Sequence, residues 1–150
     1  MIQSKKERFR MKWIKGNKQL SHELAQTFDS LESKRCYDNI YSNFDMIREW
    51  ELETQSPINV CIGYLRLYDD SNVAIRHCFL EQEGEILDPT LTLQEDGFNE
   101  QKYIIMKSFN LREYLDAISE DIRTDLFHFL RSTEQQFQQE LLEQGFVPIG

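Results

Sequence analysis

Between Pro57 and Pro89 the chain alternates in a way that only strands can use. Ile58, Val60, Ile62 and Tyr64 alternate with Asn59, Cys61, Gly63 and Leu65, a period of two that sends successive side chains to opposite faces of a strand running to about Tyr68. Asp69-Asp70-Ser71-Asn72 supplies a cluster of turn residues, and Val73 to Glu81 forms a second strand. Glu83-Gly84 reads as a hairpin turn, after which Glu85 to Asp88 returns as a third strand until Pro89 stops it. If that turn has two residues, Gln82 faces Glu85, Glu81 faces Ile86, Leu80 faces Leu87 and Phe79 faces Asp88. His77 and Phe79 share a face, which makes Asp88 a diagonal neighbour of His77 on that face. A loop one residue longer would turn Asp88 to the other side.

Helical patterns flank this meander. Ser21-His22-Glu23-Leu24 has the form of a helix start, with Leu24, Phe28 and Leu31 at helical intervals. From Cys36 to about Glu51, Cys36, Ile40, Phe44 and Ile47 lie on one stripe of a helix of about four turns, headed by the cysteine. A loop containing Asp96-Gly97 leads to a fourth strand over Lys102 to Lys107, and Asn110-Leu111-Arg112-Glu113 resembles a capping box opening a further helix. Asp121 to Gln144, with Ile122, Leu126, Phe129, Leu130, Phe137 and Leu141, predicts a long amphipathic helix ended by Gly145. The expected fold is α+β: a helix-borne cysteine packed on a small antiparallel sheet, with the long C-terminal helix laid across the body or paired with a second copy in a homodimer. The expected division is a basic arm over 1–19, the α+β domain over 20–119 and a helical extension over 120–150.

A chain of 150 residues, 40% hydrophobic and 29% charged, suits one ordinary domain and excludes a wholly disordered one. The net charge of -9 is wrong for a domain that binds by releasing nucleic-acid counterions. The first nineteen residues are the exception, with Lys5, Lys6, Arg8, Arg10, Lys12, Lys15 and Lys18 against Glu7 alone. That arm suits the acidic body itself, phosphate or anionic lipid, and Phe9 and Trp13, four apart, would suit a short amphipathic helix. With neither a bilayer-length apolar run nor a secretory leader, a cytoplasmic protein is expected. Cys36, Cys61 and Cys78 are an odd number without metal-type spacing, and HExxH, Walker-type and GxGxxG patterns are absent, so neither metal nor cofactor is expected.

A cysteine attacks as its thiolate, which a helix N-terminus favours through unpaired N–H groups and the dipole; Lys34 and Arg35 add positive charge beside Cys36. A strand-borne His77 would move the proton and Asp88 would orient the imidazole, giving a triad in the chain order Cys, His, Asp. The same residues have plainer uses, Cys36 as a packed core thiol, His77 as a structural histidine and Asp88 as a turn residue. Cys61 and Cys78 suit packing.

Three segments carry a family likeness: Cys36-Tyr37-Asp38-Asn39 on a helix, Cys61-Ile62-Gly63-Tyr64 on a strand, and His77 to Thr90, HCFLEQEGEILDPT. With SFNLREYLDAI downstream, residues 30 to 118 resemble the transglutaminase-like and papain-like cysteine hydrolase superfamily, especially its small bacterial and phage members. The resemblance implies a papain/transglutaminase-like core with Cys36 as nucleophile, His77 as base and Asp88 as orienter. Arg35 stands where many relatives have a small residue, and Ser30 where papain-like enzymes carry an oxyanion-hole glutamine, which leaves the Cys36 N–H as the natural donor; Asn39, one turn along the helix, could add a second but better suits fixing the neighbouring strand by hydrogen bonding. The expected activity is a thiol hydrolase or acyltransferase acting on a protein, peptide or small amide or ester. The alternative is a non-catalytic binding or assembly module that keeps the fold.

Overall fold

Alternating apolar residues make the strands, and the helices cover one face of the resulting sheet. The structure is a computed structural model that describes residues 12–68, 71–93, 101–121 and 127–150. In chain order the elements are β1 (Ile14–Lys15), α1 (Lys18–Ala25), α2 (Cys36–Ser42), α3 (Phe44–Thr54), β2 (Ile58–Arg66), β3 (Val73–Gln82) and β4 (Glu85–Leu87). A 3-10 turn at Thr90–Leu93 follows, then β5 (Lys102–Asn110), α4 (Leu111–Asp121), α5 (Phe127–Glu143) and β6 (Val147–Ile149). The strand order is β1-β5-β2-β3-β4, antiparallel throughout, with β6 parallel to β3 beside Val73–Ile75. The fold is thus α+β with a mixed sheet, not the purely antiparallel sheet expected from the meander.

The hairpin has the register that a two-residue turn dictates: Leu80 faces Leu87, Glu81 faces Ile86 and Gln82 faces Glu85. Glu83 and Gly84 both have positive φ, 54° and 82°, the backbone twist that lets a two-residue turn match the twist of its strands. Two helix ends also follow their sequence signals. The N–H of Asn110 donates to Glu113 Oε1 and the N–H of Glu113 donates to Asn110 Oδ1, both at 2.8 Å, a reciprocal cap on α4. Gly145, at φ 92°, ends α5, with Phe146 N–H donating to Leu141 O at 2.9 Å and Gly145 N–H to Leu142 O at 3.1 Å.

Elsewhere local competition altered the expected elements. The single helix over 36–51 is two helices broken at Asn43. The Asn43 side chain accepts from Asp29 N–H and donates to Ser30 O and Asn39 O, so it serves the preceding loop and interrupts the helical run. The first helix starts at Lys18 rather than Ser21, because Asn17 is the cap: Leu20 N–H donates to its Oδ1 at 2.9 Å. That helix ends at Ala25, leaving Phe28 and Leu31 outside it. Trp13 is not helical. It packs against Phe146 with ring centroids 5.2 Å apart, and the Arg66 guanidinium lies over both rings at 5.2 and 4.9 Å. The arm through Met11, Asp69-Asp70, the Asp96-Gly97 loop, and Ile122 and Leu126 lie outside the described residues, as do the side chains of Phe129 and Leu130.

The helical face of the sheet buries Val60, Ile62, Tyr64, Leu80 and Ile104 against Leu24, Ile40, Ile47, Phe137 and Leu141 of the helices. The other face buries a smaller core of Cys61, Leu65, Phe79, Ile86, Leu91 and Tyr103. Residues 14–17 wrap that second core, since Ile14 and Lys15 pair with β5 while Gly16 bridges Ile86 in β4 and Asn17 N–H donates to Ile86 O at 2.8 Å. The β2–β5 register shifts between Ile62 and Gly63, and a Cβ added at Gly63 would overlap the Ile104 carbonyl. Backbone sits on both sides of the overlap, so Gly63→Ala should destabilise by about 3 kcal/mol, the upper end for overpacking; the denaturant midpoint will report it.

Candidate functional site

The edge of β3 that faces β4 and β6 is paired at Val73–Ile75 and at Leu80–Gln82, and among the described residues the stretch between has no strand beside it. The head of α2 fills this gap. Cys36 is the first residue of α2, and its sulfur accepts the Cys78 backbone N–H at 3.3 Å. The peptide group that an interrupted ladder would otherwise strand is therefore satisfied by the thiol. Asn39 and Asn43 hold the loop leading into this helix. Asn39 accepts from Glu32 N–H and donates to Glu32 O, both at 2.9 Å, and to Thr90 Oγ1 at 2.8 Å. All its polar capacity toward neighbours is thus spent on structure, in line with a role as a tether rather than an oxyanion donor.

His77 and Asp88 meet as the hairpin register requires. His77 Nε2 lies 2.7 Å from Asp88 Oδ2, and the Cys36 sulfur, which accepts the N–H of the next residue, Cys78, is near enough for its charge to act on the imidazole. With Nε2 on the carboxylate, Nδ1 is the nitrogen left for the sulfur. Phe79 stacks beside the imidazole, with centroids 6.2 Å apart at 17°. The structure therefore brings Cys36, His77 and Asp88 together, one from a helix head and two from a hairpin.

Asp88 is completely buried, and residues that sequence patterns did not mark as functional hold it in place. Tyr103 O–H donates to Asp88 Oδ2 at 2.6 Å, Leu91 N–H donates to Oδ1 at 3.3 Å, and Asp88 N–H donates to Ser21 Oγ at 2.9 Å. Ser21 had the look of a helix cap and instead sits inside α1, its hydroxyl spanning Asn17 O and the Asp88 amide. Tyr103 had the look of an ordinary strand aromatic. A tyrosine hydroxyl drawn into a buried core needs an acceptor, which is the one signal that pointed beyond packing.

Burial alone would lower the basicity of His77, and it is the largest single influence on the ring. The Asp88 charge, followed by the Cys36 sulfur, outweighs it and raises the pKa to about 10. The other two thiols are inert by environment: burial pushes Cys61 up to about 12 and Cys78 well above its ordinary value. Cys36 is half-buried and opens on a cleft of about 350 Å³ lined also by Lys34, Leu65, Leu67, Ile75, Arg76, His77, Thr90 and Leu91. Among the described residues no cluster of three or more His, Cys, Asp or Glu could hold a metal, and no helix is long and apolar enough to cross a membrane. Compared with known proteins, the chain matches no family model, no curated protein and no solved structure.

Proposed function

We propose that the chain is a small thiol hydrolase or acyltransferase whose nucleophile is Cys36, with His77 as proton carrier and Asp88 as the group that orients it. The observation that carries this reading is an imidazole held on a buried carboxylate and lining one cleft with the sulfur at a helix head. The Cys36 sulfur adds to the substrate carbonyl carbon while the imidazolium gives its proton to the leaving oxygen or nitrogen, and a thioester forms. Water, or an acceptor alcohol or amine, then attacks the thioester, losing its proton to the imidazole and releasing the thiolate, which restores the starting thiolate and imidazolium. Cys36, as first residue of α2, has an N–H without an intrahelical acceptor, and the Cys78 N–H already points at the sulfur; both are suited to a carbonyl oxygen that gains charge. A cysteine-headed helix against a histidine-bearing strand also supports the papain/transglutaminase-like interpretation of the core.

Competitive labelling of the native protein with iodoacetamide at pH 6 to 7, read by mass spectrometry, tests the proposal. Cys36 should react at least about tenfold faster than Cys61 and Cys78, whose burial suppresses the thiolate. Equal labelling, or none at Cys36, favours a binding module that keeps the architecture without turnover.

A further inference from the structure

The walls of the cleft say which half of a substrate it grips. Ile75 stands two residues before His77 on the same face of β3 and is paired directly with Leu65 of β2. With Leu67, these side chains make an apolar strip in the cleft that His77 and Cys36 also line. Leu91, on the turn that follows Asp88, faces the same space. No acidic residue lines the cleft among the described residues, and the Arg76 guanidinium on its border is held by Glu134 at 2.7 Å. The Thr90 hydroxyl accepts the Asn39 amide. Beyond the sulfur, the imidazole and the Lys34 side chain, what remains for a ligand is therefore aliphatic surface.

On the basis of the thiol-hydrolase reading, we propose that the acyl group transferred to Cys36 is an aliphatic chain, carried as an ester or thioester and seated on Ile75, Leu65, Leu67 and Leu91. A volume of about 350 Å³ equals roughly a dozen waters at about 30 Å³ each, room for an acyl chain of roughly six to ten carbons with its leaving group at the mouth. The chemistry is balanced by water: the thiolate displaces the alcohol or thiol, which takes the proton from His77, and hydrolysis of the thioester releases the free acid. Each methylene that moves from water onto the strip is worth about 0.8 kcal/mol, about three- to fourfold in the rate of acylation.

The test is a series of p-nitrophenyl esters from acetate to octanoate at low concentration on the full chain, with acyl-Cys36 followed by mass spectrometry and Cys36→Ala as the background. The acylation rate constant should rise about three- to fourfold per methylene, so that hexanoate exceeds acetate by about a hundredfold. Ile75→Thr keeps a β-branched strand residue and should flatten that gradient; the gradient, not the absolute rate, is the readout. Acylation of Cys36 at equal rates along the series, or turnover confined to peptide amides, overturns the acyl-chain proposal and leaves the nucleophile standing. If Cys36 is neither acylated by any ester nor alkylated faster than the other thiols, both fall together.

Discussion

His77→Ala should lower kcat/KM for any ester or amide substrate by about a thousandfold, within the range of about 10²–10⁴ expected for losing a positioned acid–base group. It should also slow alkylation of Cys36 near neutral pH by about tenfold to a hundredfold. Both effects come from one arrangement. Nε2 is fixed on Asp88 at 2.7 Å and the Cys36 sulfur sits on the N–H of the next residue, so at neutral pH a ring that keeps its proton to about pH 10 stands beside the sulfur. A cation at that position attracts the negative charge with which sulfur attacks, and about 1.4 kcal/mol of such attraction is already tenfold in rate. The measurement is a pH profile of iodoacetamide capture at Cys36. At each pH between about 6 and 8 the native protein should be captured faster than the variant. Matching profiles for the two proteins would remove His77 from the mechanism. Near-UV circular dichroism guards against a loss that merely reflects unfolding.

The parts of this site that local chemistry specifies were legible from residue order. Glu83-Gly84 can take positive φ at both positions, so the turn length follows, the register follows from the turn, and the proximity of His77 to Asp88 follows from the register. The Asn110–Glu113 cap and the Gly145 stop are of the same kind, since each closes within a few residues of itself. What escaped is long-range. β1 has two residues and β6 has three, too short for any period to emerge, yet β1 leads into the segment that wraps the second core and β6 defines one end of the gap that α2 enters. Ser21 lies sixty-seven positions from the Asp88 amide it accepts, and Tyr103 fifteen from the carboxylate it supports. Their value arises only when α1 and β5 meet at one buried residue, Ser21 at the Asp88 amide and Tyr103 at its carboxylate. The break at Asn43 escaped for the opposite reason: the apolar stripe continues across it, because one non-helical residue barely disturbs the spacing of Ile40, Phe44 and Ile47.

Asp88→Ala should destabilise the protein by about 3–5 kcal/mol, the cost of removing one partner from a buried charged pair. The carboxylate has no exposure, and its loss leaves the His77 ring and the Tyr103 hydroxyl without their acceptor in the interior. Asp88→Asn is the more informative change, because it keeps the shape and one oxygen while removing the charge. The pH dependence of folding then separates the two contributions. His77 has its pKa raised from 6.5 to about 10 in the folded chain, so the native state holds the proton more tightly than the unfolded one. The stabilisation from that proton is fully present below about pH 6.5 and disappears as pH climbs through about 10. Denaturant midpoints for the native protein should therefore fall across that window, and the slope should shrink in Asp88→Asn, where burial of the ring is no longer opposed by a negative charge. Catalysis should suffer more than stability in this variant. An asparagine amide that donates to Nε2 would leave the proton on Nδ1, the nitrogen facing the sulfur, so the ring could not accept a proton there, and the loss should approach about 10⁴ in kcat. A slope unchanged by the substitution would mean that the midpoint trend comes from other groups and that Asp88 does not govern the charge on His77.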